Sequence, residues 1–222
     1  MVLYASLHIL GGRGNTNYMT HLLFFVLTLQ AADLPLLQKF QGTWDGTKSY
    51  QATFHQTVKA KQMGTEDKSE GVIYVQKPDQ LRWESATDNS IQILSHNTLT
   101  SIQINAKRGT RTVNILKNVN KTVDSKALSF LAGRAKFSDL YRAKLVSETP
   151  KVARLKLTPI KGKAEETYIA EINKESYFLT SLTTEAPDSI VIMEFADIKP
   201  NLKLDETLFE FKPEAKDVIR NQ

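Results

Sequence analysis

Val75-Gln76-Lys77-Pro78-Asp79-Gln80-Leu81-Arg82-Trp83-Glu84 reads as two strands joined by a tight turn. Lys-Pro ends an extended apolar run, because the residue before proline is held out of the helical region. Asp79 suits the turn itself. The second strand carries a large apolar residue at every other position, Leu81 and Trp83. Its apolar face must therefore be covered, either by a core or by a ligand.

The 222 residues fit one domain with a sizeable core. Hydrophobic residues make up 41% and charged residues 24%, as in an ordinary folded protein. The formal net charge of +5 is scattered and makes no case for nucleic acid. With no cysteine there is no thiol nucleophile, thiolate metal site or disulfide. Nor is there a cysteine to lipidate, so the chain is not expected to be a lipoprotein itself.

Leu22 to Leu29 is an unbroken apolar run, too short to span a bilayer, and Ala31-Ala32 follow where a signal peptidase would cut. Residues 1–32 read as a secretory signal, with 1–18 an over-extended start before Met19. A buried N-terminal helix is the competing reading. Residues 33–222 then form a single domain, and an exported, unanchored, cysteine-free bacterial chain is expected in the periplasm.

Downstream, Asp33 and Pro35 suit a helix start, Leu36, Phe40 and Trp44 form a helical stripe, and Gly46 can end it. Tyr50 to Val58 alternates as a half-buried strand. Met63 to Lys68 reads as a loop. Further strands are expected at 71–77, 81–85, 91–94, 98–104, 142–148, 152–158, 167–173, 178–184 and 190–197, and a short last one at Phe209–Phe211. Asp124 to Gly133 reads as a second short helix with Leu128, Phe130 and Leu131 near its apolar face, and Phe137 to Tyr141 as one more turn.

So much strand with so little helix calls for an antiparallel sheet that curls into an unclosed barrel, its mouth capped by the helices. Interior positions would be Tyr50, Phe54, Ile73, Val75, Leu81 and Trp83, a lining suited to an acyl chain.

Catalytic chemistry is scarce. His55 and His96 read as surface histidines, and no zinc-protease, nucleophile-elbow or phosphate-loop motif occurs. Glu165-Glu166 and Asp205-Glu206 read as solvated acids. Lys107, Arg108 and Arg111 read as a basic hairpin tip.

From about Leu36 onward the chain resembles the LolA family of periplasmic lipoprotein carriers. The resemblance rests on the Val75–Glu84 stretch, on Phe54-His55-Gln56, on Ile93-Leu94-Ser95-His96-Asn97-Thr98-Leu99 and on Leu128 to Ala132. Leu155-Lys156-Leu157-Thr158-Pro159 and Leu208-Phe209-Glu210-Phe211-Lys212-Pro213 add to it. It implies an unclosed antiparallel barrel with a helical lid over a cavity for acyl chains. It implies no cofactor, no metal and no covalent reaction. Acylated lipoproteins would be the cargo of a monomeric carrier, an inner-membrane ABC complex the loader and an outer-membrane receptor lipoprotein the acceptor. In the family, a basic residue before the proline bonds lid carbonyls. Lys77 holds that position here, with a compact ammonium in place of the planar Arg fork. Leu128, Phe130 and Leu131 on the lid, with Trp83, Phe54 and Ile73 on the sheet, are the expected exchangeable contacts. A barrel carrying another lipid, such as a glycolipid, stays open as an alternative. A lipid-sensing regulatory domain and an enzyme are weaker rivals.

Overall fold

The computed structural model describes residues 33–119, 130–161 and 166–221. The expected signal segment, the start of the second helix and Leu128 lie outside the described residues. A helix α1 (Asp33–Gly46) opens the described chain, and a single turn of helix α2 (Phe137–Leu140) comes later. The strands are β1 (Ser49–Ala60), β2 (Thr65–Gln76), β3 (Gln80–Ser85), β4 (Ser90–Ser95), β5 (Thr98–Asn105) and β6 (Thr110–Lys117). After α2 follow β7 (Tyr141–Glu148), β8 (Val152–Pro159), β9 (Thr167–Asn173), β10 (Leu179–Glu185), β11 (Ser189–Pro200) and β12 (Asp217–Asn221).

All twelve strands join one sheet in the order β12-β6-β5-β4-β3-β2-β1-β11-β10-β9-β8-β7. Neighbours are antiparallel, except that β12 runs parallel to β6. β12 and β7 stand at the two edges, so the sheet is open.

Two cross-strand rows carry the apolar face. Tyr50, Val75, Leu81 and Leu94 are direct partners across β1 to β4, and Ala52, Ile73 and Trp83 form the row beside them. Cross-strand neighbours at this spacing pack directly against one another. Every strand from β1 to β11 contributes to a single apolar cluster, which also takes in Phe40 and Trp44 of α1. A smaller cluster of Ile93, Ile102 and Val113 lies apart from it, with Phe211 packed on it.

Three expectations are corrected. Thr65 to Lys68 is strand, not loop: β2 pairs with β1 as far as Ala60–Thr65, and Glu66 bridges Lys59 and Lys68 across this exposed end. Ladder pairing outweighs the polar composition. A strand not anticipated, β6, follows the basic tip, and Arg111 belongs to it. Phe209 closes a 3-10 turn (Glu206–Phe209) capped by Asp205, and Phe211 lies in irregular chain, so the last strand is β12.

Candidate functional site

The turn of the opening stretch is where the sheet grips its helices. α1 has no basic residue in its last turn, and Thr47 donates to its Thr43 and Trp44 carbonyls. A helix C-terminus favours a cation. Lys77 supplies one from the β2–β3 turn: its Nζ donates to the Trp44 carbonyl at 2.5 Å and lies 3.7 Å from the centre of the Trp44 ring. Lys77 is half-buried. Burial pulls its pKa from 10.5 down to about 8, against the opposing pull of Asp45.

On the other side of the same turn, Asp79 holds residues 130–134. Its backbone N–H donates to the Ala132 carbonyl at 3.1 Å, and its carboxylate pairs with the Arg134 guanidinium. Asp79 is left-handed, φ 74°, a conformation that Asp tolerates. Gly133 is left-handed as well, φ 71°. A Cβ there would lie 2.6 Å from both Cγ and Cδ of Lys77.

Beneath these fastenings the interior is aromatic. Trp44 stacks on Phe130 with ring centres 4.4 Å apart, and Phe40 meets Phe137 edge-on at 5.1 Å. The series continues from Phe137 to Tyr141 and from Tyr141 to Tyr168. Each such pair contributes about 0.5–1.5 kcal/mol beyond its area. Burial pushes the Tyr50 hydroxyl far up, and that of Tyr141 up to about 12, with Glu166 adding to the latter. Trp44 Nε1 is buried with no hydrogen-bond partner among the described residues.

Tyr50, Phe54, Ile73, Val75 and Leu81 are buried together in the main cluster with Phe130, and Trp83 and Leu131 pack against it half-buried. Trp83 lies on Phe54, ring centres 4.1 Å apart. A cavity of about 20 Å³ remains between Trp44, Tyr50, Leu131, Leu179, Phe195 and Ile198. That is room for about one water molecule. The sequence reading did not place Leu179, Phe195 and Ile198 here, although Leu179 and Phe195 lie within expected strands and Ile198 directly follows one. Asp79 and Arg134 left no signal beyond a turn residue and a lone charge.

His55 sits on the surface opposite Glu70, and among the described residues no group of His, Asp and Glu could hold a metal ion. Among them, too, no helix is long and apolar enough to cross a membrane.

Residues 45–212 match the family described as outer membrane lipoprotein carrier protein LolA. An outer-membrane lipoprotein carrier protein of Coxiella burnetii is 29% identical over 169 residues, covering 75% of this chain and 77% of that protein. Among solved structures, an uncharacterized conserved protein from Thermus thermophilus superposes with a TM-score of 0.50 at 11% identity, covering 85% of this chain and 99% of that one. A LolA superfamily protein of Nitrosomonas europaea superposes over 80% of this chain and 97% of its own, with a TM-score of 0.44 at 12% identity.

Proposed function

The chain belongs to the LolA family of outer membrane lipoprotein carrier proteins, and from that premise we propose how its own residues hold and release cargo. The acyl chains of lipoproteins occupy the space between the apolar sheet face and the helices once α1 and residues 130–134 lift. In this reading the open sheet bends around that space, and the helical segments are its lid. Loading comes from an inner-membrane ABC complex, delivery is to an outer-membrane receptor lipoprotein, and the journey crosses the periplasm.

The observation that carries this reading is the filling of the interior. Among the described residues, the pocket between Trp44, Tyr50, Leu131 and Leu179 has about 20 Å³, so a guest entering there must displace the side chains around it. A buried methylene contributes roughly 0.8 kcal/mol, and one acyl chain on the order of 10 kcal/mol. A carrier that bound with all of that free energy would not let go. Displacing Phe130, Trp44 and Leu131 first lowers the net affinity to a releasable level. Trp44 favours this exchange, because a buried donor without a partner, as Nε1 is among the described residues, costs about 1–3 kcal/mol, which is recovered when it meets water. Lys77 acts as the latch, through its bond to the Trp44 carbonyl.

The chain, purified from the periplasm of its own cells, should carry acylated polypeptide identifiable by mass spectrometry. Free glycolipid in its place would overturn the lipoprotein reading.

A further inference from the structure

We infer that Asp79 and Arg134 form a second fastening of the lid, and that it governs the release of Lys77. This deepens the carrier reading and rests on it. The helical layer is held in two pieces from one turn, with opposite charges. Lys77 offers a cation to the carbonyl end of α1, while Asp79 offers an anion to Arg134 and its N–H to Ala132.

The two grips are mechanically coupled through Gly133. This residue lies between Ala132 and Arg134, the two partners of Asp79. Its α-carbon sits so close to the Lys77 stem that a methyl group there would overlap Cγ and Cδ. While Asp79 holds residues 132 and 134 in place, the Lys77 stem is confined against Trp44. When that segment lifts, the stem is uncovered and the ammonium is free to exchange the Trp44 carbonyl for water.

The pair is suited to such a role. The Arg134 side chain is 12% exposed and that of Asp79 46% exposed, so the bond is partly shielded yet open to solvent on one side. Fully buried pairs are costly to break and exposed pairs hold almost nothing. An intermediate pair can hold a lid and still yield to cargo. Asp79 and Arg134 are thus positioning residues, which act on cargo through the segment they hold.

The test is amide hydrogen exchange on the full chain, comparing wild type with Asp79→Asn, Arg134→Met, their double variant and Lys77→Met. Asparagine keeps the left-handed tolerance of position 79 while removing the charge. Loss of a half-shielded pair should speed exchange about ten-fold at residues 130–134 and, through Gly133, at 43–46. Lys77→Met should speed it at 43–46 alone. The double variant should exchange no faster than the faster of the two single ones, because both remove the same pair, and Arg134→Lys should retain part of the protection. Unchanged exchange at 130–134 in Asp79→Asn and Arg134→Met, or full additivity in the double variant, overturns the inference. A separate measurement of acylated-peptide binding by the wild-type chain isolates the carrier reading: no binding would overturn that reading, and the exchange pattern alone decides the clasp.

Discussion

Gly133 lies against the aliphatic stem of Lys77 so closely that an added Cβ would come within 2.6 Å of two of its carbons. The smallest residue of the lid therefore sets the path of the longest side chain in the turn.

Gly133→Ala should accordingly fail twice over. It strains a backbone at φ 71° and pushes Lys77 off Trp44. Stability should fall by at least about 1 kcal/mol, read from the urea midpoint. Exchange at residues 43–46 should also rise, which strain confined to position 133 would not cause.

Lys77 makes cargo binding dependent on pH, with a definite sign. Fastened, its pKa is about 8; released to water it returns to 10.5. Between these values the released form binds more protons, so raising the pH favours the fastened form. Affinity for an acylated peptide should be flat below pH 8 and fall several-fold between pH 8 and 10.5. Lys77→Arg stays charged throughout and should abolish the dependence.

Phe130→Ala and Ile102→Ala separate lid from scaffold. Phe130 fills the interior between Trp44, Phe40 and Phe137, whereas Ile102 belongs to the smaller cluster. Both truncations should cost about 2–5 kcal/mol of stability in denaturant titrations. Acylated-peptide affinity should rise for Phe130→Ala, which leaves less to displace, and stay unchanged for Ile102→Ala.

Acid should release β12. Arg111 reaches Asp217 and Glu214 and donates to the Lys212 carbonyl, and its hydrogen bond holds the Asp217 carboxyl below the usual 3.8. The contribution is complete above pH 3.8 and lost as pH falls through the lowered value. Amide protection of residues 217–221 should disappear over that range, and Arg111→Gln should remove it at neutral pH.

The periodic parts of the chain were legible. Leu36, Phe40 and Trp44 fixed the face of α1, and Tyr50, Phe54, Ile73, Val75 and Leu81 are buried together because alternation along a strand is a local property. Position 77 was marked by the family resemblance, as the basic residue before the proline. What stayed hidden depends on contacts between distant residues. Nothing near Arg134 announces Asp79, and Arg111 read as a hairpin tip because Asp217 lies far along the chain. Thr65 to Lys68 looks like a loop until its partner strand is known.

The aromatic filling also predicts an unusual calorimetric behaviour. Loading a preformed wet pocket removes apolar surface from water and gives a strongly negative heat-capacity change. Here Trp44, Phe130 and Phe137 are already dry before any guest arrives. Some of that surface returns to water as the acyl chain enters, so the two hydration changes oppose each other. Loading should show a heat-capacity change much smaller than the acyl surface alone would give, leaving its enthalpy nearly independent of temperature.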